Sequence, residues 1–239
     1  MKKGKSWFFK EELMRKKLSL IMKYVIVSTS LLGVFIALWT TKLDGYSHWG
    51  SRFLYFTNLS NLWIGFTVLA ILLLPFLKKT KQEKWEERLY LLKYVFTVSI
   101  TITGLVFCCL LAPFADESYR PWSWTSIGVH VLSPLASILD FFLDEKVFPW
   151  KKRQVFYPII PPLFYFAFAL ILGACGVDFG RGETFPYFFL NFKGEAGFFG
   201  FVDGDLPQFG SMYWIILILL LILSLSMIYA LKYKKKKPI

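Results

Sequence analysis

The chain has 239 residues, of which 56% are hydrophobic and 20% aromatic, and its mean hydropathy is +0.50. This composition is too apolar for an ordinary soluble domain and predicts a membrane protein. The formal net charge is +12, but the basic residues cluster between the apolar stretches. We interpret these clusters as topology signals and contacts to lipid headgroups, which argues against a nucleic-acid-binding protein.

Six stretches are long and apolar enough to cross a bilayer, since a spanning helix needs about 20 mostly apolar residues. The sequence therefore predicts an all-α polytopic membrane protein with six transmembrane helices in one domain, residues 18–231. A basic amphipathic segment, 1–17, precedes this domain, and a basic tail, 232–239, follows it. We expect the first span to be retained, not cleaved as a signal peptide. The predicted spans are roughly 18–40, 53–77, 90–114, 124–143, 156–175 and 211–231.

Lysine and arginine alternate between the connecting segments. Twenty-one of the 28 lie in four alternate segments, and only five lie in the segments between those four. The positive-inside rule therefore predicts that both termini are cytoplasmic. The remaining two, Lys23 and Lys93, fall inside predicted spans near their cytoplasmic ends, where we expect the ammonium groups to extend to the interface. The four basic segments are 1–17, 78–89, 144–154 and the tail from Lys232.

The three cysteines, Cys108, Cys109 and Cys175, all fall in predicted spans. An odd count without a CxxC motif argues against a disulfide framework and against a zinc site. We expect these cysteines to be small buried hydrophobic residues, and we expect no metal and no cofactor.

Polar residues cluster where the second span begins, within the segment 55–61. Thr57 and Asn61 are four residues apart and share one helix face, and Asn58 lies three residues from Asn61. Ser60 belongs to the same cluster. An amide inside hydrocarbon needs a hydrogen-bond partner, so we expect this face to point into the helix bundle.

The fourth span carries a second polar pattern, a continuous stripe at helical period. Such a stripe faces the interior of a bundle. Pro134 should kink this helix and free a carbonyl near His130. For the serines of the stripe, interhelical hydrogen bonding is the favoured interpretation, whereas for His130 with Asp140 below it a functional role stays open. The stripe consists of Ser126, His130, Ser133, Ser137 and Asp140.

The predicted topology places Thr57 and His130 at comparable depths, roughly 6 Å and roughly 9–12 Å below the outer ends of their helices. If the two helices touch, Thr57, Asn61 and His130 form one polar cluster. A hydroxyl beside an imidazole is a nucleophile–base pair in outline, and asparagine amides can donate to a developing oxyanion. Asp140 lies about 15 Å below His130 along the helix axis, too far to orient its ring directly.

The longest connection, 176–210, holds eight glycines and ten Phe or Tyr residues. Connections of this length are uncommon unless they are functional. Its aromatic content would expose a large apolar patch if it extended into water. We therefore expect this outer aromatic loop to pack over the outer mouth of the bundle.

Three short motifs, in this order, resemble six-span bacterial membrane proteins related to the androgen-induced (androgen-dependent TFPI-regulating) family. The motifs are Phe56-Thr57-x-x-Ser60-Asn61, then His130-x-x-x-Pro134 followed by Asp140, then Pro186-Tyr187-x-Phe189-Leu190. The resemblance covers most of spans two to six.

The eukaryotic members of that family are intramembrane threonine hydrolases, which cleave fatty acid esters of hydroxy fatty acids with a Thr in the second span and a His in the fourth. Thr57 and His130 occupy the matching places. The resemblance therefore implies a lipid-ester hydrolase in the bacterial plasma membrane.

Three functions stay open on the sequence. The first is the hydrolase, with Thr57 as nucleophile, His130 as base, and lipids and a lipophilic small-molecule substrate as partners. The second is a transporter, proton-coupled or not, or a small-molecule-binding membrane protein that uses the same polar cluster. The third is a structural or assembly subunit. The sequence predicts no particular oligomeric state. The predicted supporting residues of the site are Asn58, Ser60, Asn61, Ser126, Pro134 and Asp140.

Overall fold

The computed structural model describes residues 2–43, 45–46, 48–115, 120–146, 148–180, 182–203 and 208–234, with the backbone alone for 2–9 and 234. Met1 of the predicted basic segment and residues 235–239 of the predicted tail lie outside the described residues.

Among the described residues, six helices are long and apolar enough to cross a membrane, which confirms the all-α class. The cytoplasmic location of the termini stays a prediction. The two short strands β1 (Phe201–Val202) and β2 (Gln208–Phe209) pair antiparallel within the outer aromatic loop. The six spanning helices are α1 (Lys10–Trp39), α2 (Phe56–Phe76), α3 (Lys79–Leu111), α4 (Trp124–Leu143), α5 (Lys152–Ala174) and α6 (Ser211–Tyr233).

Several of these helices combine α-helical, π-helical and 3₁₀ segments. The α-helical segments are Lys2–Val27, Gly33–Trp39, Phe56–Leu73, Lys79–Val106, Trp124–Ile127, Ser133–Leu143, Ile160–Ala174 and Ser211–Lys234. The π turns are Ser28–Leu32, Phe107–Leu111 and Gly128–Leu132. The 3₁₀ segments are Trp49–Leu54, Leu74–Phe76, Lys152–Ile159 and Phe188–Leu190.

The helix boundaries follow local chemistry. The helix α3 begins at Lys79, because the charged segment before the apolar run forms a helical extension of the span. The basic segment 2–17 is likewise continuous with the helix Lys2–Val27; its amphipathic character stays a prediction. The first turns of α5 are 3₁₀, in a stretch where proline removes backbone donors.

The π turn in α4 ends at Leu132, two residues before Pro134. Proline has no N–H to donate to the carbonyl four residues earlier, which here belongs to His130. Gly104 of α3 packs at this distorted turn, because a Cβ at Gly104 would lie 3.1 Å from the His130 carbonyl oxygen and 3.0 Å from Pro134 Cβ. The absence of a side chain at Gly104 therefore lets α3 and α4 approach closely beside His130.

The prediction that the cysteines are buried is wrong. Cys108, Cys109 and Cys175 are all free and exposed on the protein surface. Phe107, which opens the same π turn as the first two, is fully buried. Since Phe107 takes the inward position of this turn, the two residues after it face outward.

Candidate functional site

Thr57 lies in the first turn of α2 and lines an apolar pocket between helices and the outer aromatic loop. The cavity volume is about 30 Å³, roughly the volume of one water molecule in the liquid. The pocket therefore holds a hydroxyl in surroundings that are almost entirely hydrocarbon. Its other lining residues are Phe56, Ile102, Thr103, Val106, Leu111, Pro162, Tyr165, Phe166, Tyr187, Phe189 and Ile218.

Two phenols add polar groups to this pocket. Tyr187 of the outer aromatic loop places its hydroxyl beside Thr57 and Tyr165. The Tyr165 hydroxyl donates to the Leu54 carbonyl oxygen at 2.9 Å. Burial raises the pKa of Tyr187 to about 12, although the Thr57 hydroxyl and backbone N–H beside it act in the opposite direction. At neutral pH the phenol next to the Thr57 hydroxyl is therefore uncharged.

Part of the outer aromatic loop packs on the bundle, as the sequence predicts, whereas Phe188, Phe199, Phe201 and Phe209 are exposed. Phe179, Phe185 and Phe189 are at most 5% exposed. The Tyr187 ring stacks on Phe189, with 5.1 Å between centroids and 6° between planes. At Gly173, near the end of α5, a Cβ would lie 2.2 Å from the Phe185 ring. The loop thus seats its aromatic side chains against α5 and over the Thr57 pocket.

Asn61 connects α2 to α4. Its Nδ2 donates to the Thr57 carbonyl oxygen at 2.8 Å and to the Val129 carbonyl oxygen at 3.0 Å. Asn61 is fully buried, and its Oδ1 has no hydrogen-bond partner among the residues that the structure describes. The amide therefore finds a partner in the residue next to His130, so the polar faces of α2 and α4 meet as predicted.

The other two polar residues of this segment are satisfied elsewhere. Asn58 Nδ2 donates to the Arg52 carbonyl oxygen at 2.7 Å, which ties the start of α2 to the preceding 3₁₀-helix. Ser60 shares a hydrogen bond of 2.8 Å with Thr103 of α3. These contacts hold the first turns of α2 in place, with Thr103 also lining the Thr57 pocket.

The His130 ring is held by its own helix and by α3. It stacks on Phe107 with 4.0 Å between centroids and 17° between planes. Its Nδ1 lies 3.0 Å from the Ser126 carbonyl oxygen and 3.1 Å from the Ser126 hydroxyl. Because a carbonyl oxygen only accepts, the neutral ring carries its hydrogen on Nδ1 and leaves the lone pair on Nε2. In the described part of the chain His130 does not line the Thr57 pocket, and its contact with the Thr57 hydroxyl stays a prediction.

Asp140 belongs to a buried ion cluster near the other end of the bundle. Its carboxylate accepts from Ser19 Oγ at 2.6 Å and lies 2.8 Å from Lys23 Nζ and 2.6 Å from Lys93 Nζ. Asp144 lies 2.7 Å from Lys23 Nζ and 2.8 Å from Lys93 Nζ. The expectation that these lysines extend to the interface is wrong, since the carboxylates of α4 and the residue after it hold both ammonium groups inside the protein.

The charges of this cluster cancel, two against two. Asp144 lies just beyond α4; burial raises its pKa, but the ammonium groups of Lys93 and Lys23 outweigh this and hold the pKa well below its usual range. The cluster joins α1, α3 and α4. In the described part of the chain the polar contacts of Asp140 are with Lys23, Lys93 and Ser19, in a cluster separate from His130.

Sequence reasoning assigned no role to Tyr165, and it noted Tyr187 only as part of a motif. The signal for Tyr165 is a phenol inside an apolar span, because a buried tyrosine hydroxyl needs a hydrogen-bond partner. Among the described residues, no group of three or more His, Cys, Asp or Glu is placed to hold a metal ion.

No protein-family model matches this chain, and the comparisons with curated proteins and with solved structures found no match either. The resemblance to the androgen-induced family stays a prediction. Six apolar helices are compatible with a multi-pass integral membrane protein.

Proposed function

We propose that this protein is an intramembrane lipid-ester hydrolase with Thr57 as the nucleophile and His130 as the general base. The observation that supports this proposal most directly is the Thr57 hydroxyl in a mostly apolar pocket, beside the Tyr187 phenol. Apolar walls suit the acyl chain of a lipid ester, and a neutral donor beside the nucleophile suits the oxyanion of acyl transfer.

The reaction uses groups of this chain alone. Thr57 Oγ attacks the ester carbonyl carbon while its proton passes to His130 Nε2, and the carbon–oxygen bond to the alcohol then breaks as the alcohol takes that proton. Water hydrolyses the acyl ester on Thr57 and restores the hydroxyl. The hydrogen bond from Nδ1 to Ser126 selects the tautomer in which Nε2 accepts a proton.

Substrate entry requires the pocket to open. Its volume of about 30 Å³ accommodates water but no acyl chain. Tyr187 and Phe189, which line the pocket, belong to the outer aromatic loop. A shift of this loop would expose Thr57, and the substrate carbonyl oxygen would accept a hydrogen bond from the Tyr187 hydroxyl.

A second function, the binding of a lipophilic small molecule without chemistry, is favoured by one observation. The contacts of the His130 ring are with Phe107 and Ser126, so the pocket is complete as a binding site without a base. Proton-coupled transport through Asp140 is disfavoured, because its fully buried carboxylate is held by Lys23, Lys93 and Ser19.

The test compares two threonines of the same helix. Thr57→Ala should abolish hydrolysis of lipid esters by the purified, reconstituted protein. Thr67→Ala should leave it unchanged, since Thr67 is buried and its hydroxyl bonds only within its own helix, to the Trp63 carbonyl oxygen at 2.7 Å. Both variants should fold, because alanine suits a helix.

Two results would refute the proposal. One is a folded Thr57→Ala protein that cleaves every ester the parent cleaves. The other is a parent protein that binds lipid esters but cleaves none of them, which would support the binding function instead.

A further inference from the structure

A second cavity lies between the ends of α2 and α3 on the side of the bundle where both termini lie. Its volume is about 260 Å³, near the lower limit of roughly 300 Å³ for small-molecule sites. Every residue that lines it is apolar. This inner cleft is formed by Ala70, Leu73, Leu74, Leu77, Trp85 and Leu89.

The inner cleft opens onto the lipid-facing surface of the protein. Leu73 is 51% exposed, Leu77 43% and Trp85 47%, and Phe76 beside them is 85% exposed. Phe76 is also the last residue of the spanning helix α2. The cleft is therefore continuous with the surface that the acyl chains cover and lies where that surface gives way to the headgroups.

The charges beside the cleft are sorted by sign around the first turns of α3. At about 100° per residue, Lys81 and Arg88 lie within about 60° of Trp85 on the helix surface, whereas Glu83, Glu86 and Glu87 lie about 100° or more away. Lys81 and Arg88 are exposed, and the Arg88 guanidinium carbon lies 5.6 Å from the centroid of the Trp85 ring.

The carboxylate nearest to Trp85 among these three, that of Glu86, forms an ion pair with another segment. Glu86 pairs with Lys146 from the segment after α4, at 2.5 Å. The face of α3 that borders the cleft therefore presents two cations to the headgroup region without a competing carboxylate on the same face.

We propose that the inner cleft binds one anionic phospholipid from the leaflet on the side of both termini. The upper part of an acyl chain fills the apolar cavity, and the phosphate accepts hydrogen bonds from Lys81 and Arg88. The apolar-to-basic order of the site, from the bilayer toward water, matches the order of parts in a phospholipid. This site is separate from the Thr57 pocket and does not rest on hydrolysis.

Native mass spectrometry of the full-length protein tests this proposal. The protein is released from vesicles of equal parts phosphatidylglycerol and phosphatidylcholine, and the retained lipids are counted. The Lys81→Gln, Arg88→Gln double variant should lower the retained ratio of anionic to zwitterionic lipid by roughly fivefold for each base removed. The matched control, Lys79→Gln with Lys84→Gln, removes the same charge about 100° or more from Trp85 and should leave the ratio near that of the parent.

A third variant, Ala70→Phe, fills the cavity and should reduce retention of the bound lipid while the bases remain. The proposal is overturned if the two double variants lower the ratio equally, since the attraction is then general and not local. It is also overturned if the parent shows no preference for phosphatidylglycerol, or if Ala70→Phe retains as much bound lipid as the parent.

Discussion

The Thr57 hydroxyl meets Tyr187, a residue of the outer aromatic loop. The sequence of the second span indicates that Thr57 shares a face with Asn61, and the structure confirms that this face meets α4 through the Val129 carbonyl. The phenols at positions 165 and 187 could not be placed beside Thr57 from sequence. Helical periodicity shows which residues share a face but not which other helix or loop covers it.

Replacing Tyr187 with phenylalanine distinguishes the contribution of its hydroxyl from that of its ring. Tyr187→Phe keeps the stack on Phe189 but removes the donor beside Thr57. If that donor stabilises the oxyanion, kcat should fall by roughly 10²–10³-fold with KM little changed. Tyr213→Phe is the control, because Tyr213 is 49% exposed. Steady-state hydrolysis of one lipid ester measures both, and a Tyr187→Phe variant with the parent kcat would remove Tyr187 from the reaction.

The contribution of the Tyr187 hydroxyl to kcat has a predicted pH dependence. Burial raises the pKa of Tyr187 to about 12, whereas an ordinary tyrosine ionises near pH ~10. The neutral phenol is the form that donates, so a raised pKa extends its action to higher pH. The ratio of kcat between parent and Tyr187→Phe should therefore stay constant from neutral pH to about pH 10, and a decline in that ratio over this range would show that the phenol ionises normally.

Among the contacts between helices, the ion cluster is the one that the sequence did not predict. The sequence predicts that the Lys23 and Lys93 ammonium groups lie at the membrane interface, because each lysine lies near the end of an apolar run. Their carboxylate partners follow more than forty positions later in the chain, so no local pattern predicts them. Removing one partner from such a cluster leaves a buried charge uncompensated, which costs far more than removing one partner of an exposed pair.

Lys93→Met should therefore destabilise the protein by about 3–5 kcal/mol. Lys146→Met provides the matched control, since it removes the same group from a pair with Glu86 in which the lysine side chain is 61% exposed; this change should cost at most about 1 kcal/mol. Unfolding of the two variants in the same detergent measures the difference. Equal midpoints for Lys93→Met and Lys146→Met would mean that the cluster does not hold α1, α3 and α4 together.

For the whole molecule, composition and hydropathy determine most of the architecture. The predicted fourth span, 124–143, coincides with α4, and the other predicted spans differ from the helices mainly where a helix extends beyond the apolar run. The third helix begins at Lys79 because its charged first turns are stable outside the hydrocarbon. The π turns are not readable from apolar content, except before Pro134, where the missing donor gives a local cause.

The orientation of the bundle is a separate prediction from the positive-inside rule. Single cysteines at positions 48 and 83, both exposed, should react from opposite sides of a sealed membrane. The background must lack Cys108, Cys109 and Cys175, because these native cysteines are exposed. With a membrane-impermeant thiol reagent outside the cell, only the cysteine at 48 should react, and labelling of both positions from one side would contradict the six-span topology.

Covalent labelling tests the central claim, catalysis at Thr57, most directly. The full-length protein in lipid vesicles is treated with a phosphonate probe for serine and threonine hydrolases, and the modified peptide is sequenced by mass spectrometry. The account predicts one label, on Thr57, absent from Thr57→Ala and formed roughly 10²–10⁴-fold more slowly in His130→Ala, which lacks the general base. A label on any other residue, or the same labelling rate in His130→Ala as in the parent, would contradict it.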